Sequence, residues 1–112
     1  MTPVLLPIKT VSVLNTREHH QQRARRAALH RRTAFMMMKS WGTPPALPMT
    51  ITMTRISVGT LDDDNLASAF KAARDGVADW LGVDDGDTRI TWVRKQKKGK
   101  RLEYGVIVEV GQ

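Results

Sequence analysis

The sequence predicts an α+β fold, a small mixed four-stranded sheet with two helices, on three observations. Apolar residues recur at helical spacing from Asp63 to Leu81; short runs rich in Ile, Val and Thr have strand character; Gly and Pro punctuate the chain between these segments. The order is strand, helix, strand, helix, strand, strand. At 112 residues the chain is a single domain. Within it, 1–48 forms a basic strand and helix, and 49–112 a strand, helix and hairpin.

The first strand is expected from Val4 to Leu14, with Pro7 favouring an edge position. Asn15 and Thr16 suit a turn and helix cap. Arg17 to about Ser40 lacks Gly and Pro and reads as a helix with a thin apolar stripe of Ala24, Ala28, Phe35 and Met38. Gly42, Pro44, Pro45 and Pro48 end it. A second strand covers Thr50 to Val58; Ile51 and Met53 lie on one parity, Ile56 and Val58 on the other, which suggests a bulge near Thr54 or Arg55. The second helix, Asp63 to Leu81, carries Leu66, Ala69, Phe70, Ala73, Val77, Trp80 and Leu81 at i, i+3, i+4 spacing and stops at Gly82. Arg89 to Lys95 and Leu102 to Val110 then read as a hairpin around Lys97, Lys98 and Gly99.

Composition narrows the function classes. Without cysteine, disulfides and thiolate metal sites are excluded, which suits a cytoplasmic protein. No apolar run approaches the roughly 20 residues of a membrane span, and no basic flank precedes a long apolar stretch as in a signal peptide. The net charge of +7 points to a polyanionic partner. Residues 1–41 hold eight Lys and Arg against one acid, Glu18, while the remainder holds ten of each sign.

The acids fall in two clusters. Asp62, Asp63 and Asp64 stand between a strand and a helix; in extended chain Asp62 and Asp64 would point the same way. Paired carboxylates suit Mg²⁺, which takes oxygen ligands and keeps several waters for substrate phosphate to replace. Helix capping is the structural alternative. Asp84, Asp85 and Asp87 follow the helix, where Asp-Gly turn chemistry is the alternative. Lys71, two turns after Asp64, is placed to stabilise negative charge on a phosphate or to pair with Asp75. Arg94, Lys95, Lys97, Lys98, Lys100 and Arg101 crowd the hairpin, and phosphate contact explains such a concentration of like charge. Arg23 and Arg26, with four further cations on the first helix, suit a DNA-gripping arm or a solvated surface. His19, His20 and His30 read as surface histidines, and the three tryptophans as core or interface anchors. There is no phosphate-binding glycine loop, no Ser-His-Asp arrangement and no sign of an organic cofactor.

The stretch LDDDNLASAFKAARDGVADWLGVDD, Leu61 to Asp85, resembles the signature of the RusA-type Holliday-junction resolvases, and NTREH at Asn15 to His19 is also similar. The resemblance implies a homodimer, Mg²⁺-dependent phosphodiester hydrolysis in recombination or repair, branched double-stranded DNA as substrate, and a cytoplasmic, nucleoid-associated setting. It places the metal on Asp62, Asp64 and Asp85, or Asp84 in place of Asp85, and the catalytic lysine on Lys71. In the family pattern that lysine comes a turn earlier, where this chain has Ser68. A non-catalytic DNA-binding protein of the same fold is the competing expectation.

Length adds a constraint independent of the family. Asp64 to Leu81 is 17 helical steps, or about 25 Å at 1.5 Å per residue. The four residues on to Asp85 reach back at most about 14 Å. Each site is therefore expected to be shared between two subunits whose second helices pair antiparallel, with Leu66, Phe70, Val77 and Trp80 contributing to the interface. A kink at Gly76 is the alternative.

Overall fold

The computed structural model describes residues 3–11 and 19–111. Its elements are β1 (Val4–Leu6), α1 (His20–Trp41), β2 (Met49–Ser57), α2 (Asp63–Leu81), β3 (Ile90–Lys98) and β4 (Gly105–Gly111). The sheet order is β1-β4-β2-β3. β2 and β3 are parallel, and β4 runs antiparallel to both of its neighbours, β1 and β2. The expected mixed four-stranded sheet with two helices is present.

The expected hairpin is not. β2 lies between β3 and β4, paired with β3 from Met49↔Ile90 to Ser57↔Lys98 and with β4 from Thr50↔Gly111 to Ile56↔Gly105. The connection 99–104 passes over the end of β2, a lateral step of two strand spacings, about 10 Å, that a two-residue turn does not span. It is fastened by Gly99 N–H donating to the Ser57 carbonyl at 2.8 Å, and by the Glu103 carboxylate accepting from Lys100 N–H at 2.9 Å.

Neither ladder of β2 contains a bulge. Its inward parity is Met49, Ile51, Met53 and Arg55, so the slip read from Ile56 and Val58 is instead an arginine in an inward position. Val58 is exposed. β1 is shorter than expected: its ladder ends at Leu6, where Pro7 has no N–H to donate, although Ile8 and Thr10 continue the buried parity. Residues 12–14 of the expected strand, and Asn15 to Glu18 of the turn and helix start, lie outside the described residues. α1 is capped by His19, whose Nδ1 accepts from Gln21 N–H at 3.2 Å, so this histidine has a local structural role.

α2 has the expected boundaries. Asp62 caps its start and Gly82, left-handed at φ 74°, ends it, with Val83 N–H donating to the Ala78 carbonyl at 3.3 Å. Both helices lie on one face of the sheet around a core that includes Leu6, Met38, Ile51, Phe70, Val77, Val106 and Val108. They approach closely at Gly76: a Cβ there would stand 2.2 Å from the Arg31 carbonyl oxygen and 2.7 Å from Ala34 Cβ. Helix packing accounts for this glycine, and α2 continues through it. Leu66, Phe70, Val77 and Trp80 are all buried in the chain's own core, so they are not available to an interface. Arg31 adds a bidentate bond to Asp79, at 2.7 and 2.8 Å, alongside that contact.

Candidate functional site

Three features meet on the flanks of α2: its acidic N-terminus, the loop that follows it, and a cationic cleft against α1. At the N-terminus, Asp62 Oδ1 accepts from Asn65 N–H at 2.9 Å and from Asn65 Nδ2 at 2.7 Å. Those bonds, the backbone one first, hold its carboxyl below the ordinary value. Asp63 faces Arg94 of β3, with Nη2 at 3.3 Å from each carboxylate oxygen. Asp64 is exposed and makes no ion pair among the described residues. Extended-chain alternation does not apply, because Asp63 and Asp64 are already in the first helical turn, about 100° apart around the axis. Capping, the structural alternative, is the work of Asp62.

The second cluster divides its roles. Asp84 Oδ1 accepts from Gly86 N–H at 2.9 Å, an ordinary turn contact. Asp87 takes three bonds from Arg89, two from the guanidinium and one from the backbone, and is pulled down to about 2, the side-chain bonds contributing most. Asp85 alone folds back onto α2: Lys71 Nζ donates to its carboxylate at 2.9 Å and to Asp75 at 2.9 Å. Arg74 Nε stands 3.3 Å from the same Asp85 oxygen, near enough for charge attraction but misaligned for a hydrogen bond. The Asp85 backbone carbonyl accepts from Trp92 Nε1 at 2.9 Å and from Arg74 Nη2 at 3.1 Å, while the Arg74 guanidinium lies 4.7 Å from the Trp92 ring. The Lys71 bond, ahead of other causes, lowers the carboxyl of Asp85; Asp75 first and then Asp85 raise the ammonium of Lys71.

Lys71 thus pairs with Asp75, as the structural alternative expected, and also with Asp85, which the sequence had not offered it. It also lines a cleft of about 490 Å³ between α1 and α2, together with Arg23, Arg26, Arg31, Asp75 and Ser68. Ser68 Oγ is buried there without a hydrogen-bond partner. His30 lines the cleft as well and is pushed toward its neutral form by burial, then by Arg26. Lys71 therefore links Asp85 to the cleft that Arg23 and Arg26 line, whereas Asp62 and Asp64 stand about two turns of α2 away. Among the described residues no three Asp, Glu, His or Cys side chains converge as a metal site within one chain.

The basic residues of β3 divide by parity. Trp92, Arg94 and Gln96 turn toward α2, and Lys95 and Lys97 occupy the alternate positions on the opposite face. Lys97, Lys98 and Lys100 border a shallow hollow of about 430 Å³ beside Ile56 and Gly99, and Arg101 is exposed in the following turn. Because β3 is an edge strand, these lysines also deter edge-to-edge pairing with other chains, a role the expected hairpin had no place for.

Four residues around the site were not singled out from the sequence: Arg55, Arg74, Trp92 in its hydrogen-bonding role, and Gln96. Only Arg55 had a signal, its parity with Met49, Ile51 and Met53. Among the described residues no helix is long and apolar enough to cross a membrane. Comparisons with protein-family models, curated proteins and solved structures find no match to this chain.

Proposed function

We propose that the protein is a Mg²⁺-dependent, structure-selective DNA endonuclease acting on four-way junctions as a homodimer. The observation that carries this reading is the contact of Lys71 with Asp85 on the wall of a cleft that also holds Arg23 and Arg26. It joins the C-terminal acid of the Leu61 to Asp85 motif to the lysine in its middle, on the wall of a cleft lined by cations, the side chains that contact phosphate in DNA-binding proteins. The donor set fits a hard cation: Asp62 and Asp64 offer exposed carboxylate oxygens, and Mg²⁺ needs only one or two of these with water. Asp85 of the same chain reaches no farther along α2 than Lys71, seven residues from Asp64, so a third carboxylate would be the Asp85 of a second copy, released from its Lys71.

The chain's own residues then have separable tasks. Arg23, Arg26, Lys97, Lys98 and Lys100 bind phosphates and set DNA orientation. Lys71, held charged by Asp75 and Asp85, offers an ammonium to negative charge developing on the scissile phosphate. Mg²⁺ bound at Asp62 and Asp64 would supply a water of lowered pKa and neutralise phosphate charge.

A second reading, a DNA-binding protein without catalysis, is favoured by one specific observation: Asp62, Asp63 and Asp85 are each engaged by the chain's own groups. Incubating a labelled four-way junction with the protein in Mg²⁺ or in EDTA separates the two. The endonuclease reading expects nicks with 5'-phosphate ends in Mg²⁺ alone; binding without cutting in either condition supports the second.

A further inference from the structure

The segment joining β2 to α2 has no regular structure, yet it is fastened at every second residue. The Ser57 carbonyl accepts from Gly99 N–H at 2.8 Å, the Gly59 carbonyl from Arg55 Nη1 at 2.8 Å, and Leu61 is gripped at both backbone groups by one side chain. Gln96 Oε1 accepts from Leu61 N–H at 3.0 Å and its Nε2 donates to the Leu61 carbonyl at 2.7 Å. The amide thereby imitates a neighbouring strand at the residue just before Asp62.

Arg55 makes the arrangement costly. It is 7% exposed, its Nε donates to Thr10 Oγ1 at 2.8 Å, and among the described residues no carboxylate accompanies it. A buried guanidinium held by neutral oxygens is poorly compensated for its lost hydration. A buried charge at the end of β2, bonded to the loop that leads to exposed acids, has the character of preorganisation for binding.

We propose that Gln96 and Arg55 are positioning residues which hold segment 58–62 so that Asp62 and Asp64 are set for a divalent cation before DNA arrives. The inference rests on the metal-dependent reading above and adds residues that act through the backbone, without touching metal or substrate. Supporting side chains of this kind typically alter metal affinity 10- to 100-fold.

The test uses Mn²⁺ as a paramagnetic probe, reading line broadening at the amides of residues 62–65 in wild type, Gln96→Met and Arg55→Met, with thermal melting in parallel. The expected result is Mn²⁺ affinity weakened by on the order of 10-fold in variants that keep the wild-type fold at the temperature of the titration. A merely structural role would lower the melting temperature and leave Mn²⁺ affinity unchanged in whichever variant folds; that outcome overturns the proposal, as does wild type with no broadening at these amides. Junction cutting measured on the same samples separates the two ideas. Mn²⁺ binding that weakens in the variants, without any cutting by wild type, removes the endonuclease and keeps the positioning roles; cutting with unchanged Mn²⁺ affinity in the variants does the reverse.

Discussion

Asp64 differs from its acidic neighbours in having neither an ion pair nor a capping bond among the described residues, while Asp62 caps α2 and Asp63 meets Arg94. A carboxylate left open beside a helix N-terminus gains only about 0.3–1 kcal/mol from the helix dipole. Asp64→Asn should therefore change stability by less than about 1 kcal/mol in a denaturant melt and abolish Mg²⁺-dependent nicking. Unfolding of that variant would make the residue structural. Asp87 gives the opposite prediction. Its carboxyl is drawn from 3.8 to about 2 by Arg89, so this contribution to stability is complete above pH 3.8 and disappears as pH falls through about 2. Asp85 is lowered for a similar reason, chiefly by Lys71, and adds loss in the same direction. Melting temperature followed from pH 5 down to about 2 should drop less steeply in Asp87→Asn than in wild type; identical slopes would show that the Arg89 pairing does not stabilise the fold in solution.

At the scale of elements, α2 was legible because its signals are local: a capping aspartate, an unbroken apolar stripe and a terminal glycine all lie within the segment that they define. The insertion of β2 between β3 and β4 was not, because β2 is distant in sequence from both and no local pattern marks it. Arg55 was misread for a related reason. A charged residue on the buried parity looks like a register slip unless its partners, Thr10 and the Gly59 carbonyl, are known. The two clusters of acids were visible as clusters, but not that Asp84 and Asp87 serve turns while Asp85 reaches Lys71. Gly76 tests the helix layer. A methyl 2.2 Å from the Arg31 carbonyl must push α1 and α2 apart, so Gly76→Ala should destabilise by about 1–3 kcal/mol despite alanine's better helix propensity; a stabilised variant would contradict the close packing. The β3–β4 connection tests the DNA surface. Neutralising Lys97, Lys98 and Lys100 together should reduce the slope of log affinity against log salt by up to about 3, near 0.9 for each phosphate no longer neutralised. An unchanged slope would leave those lysines as guards of the sheet edge.

For the whole molecule, the length of α2 keeps the two acidic clusters apart in one chain. Asp85 returns only as far as Lys71, which is seven residues, or about 10 Å of helix, from Asp64. The apolar stripe expected to pair two copies of α2 is consumed by the core, so such a pairing would use the polar flank of the helix, and Leu29 and Met36 of α1 are among the large apolar side chains left exposed. Sharing of sites between subunits is testable by mixing Asp64→Asn with Asp85→Asn chains. A verified heterodimer should regain one intact site and nick DNA; a dead heterodimer, beside an active wild-type control, excludes sharing. Metal-dependent cutting of branched DNA is read out by single-turnover nicking of a labelled four-way junction, against linear duplex of the same sequence. Cutting by wild type in Mg²⁺, confined to the junction and absent from both EDTA and Asp64→Asn, is the expected result. Junction binding with no strand cut at any Mg²⁺ concentration, or equal cutting by Asp64→Asn, contradicts it.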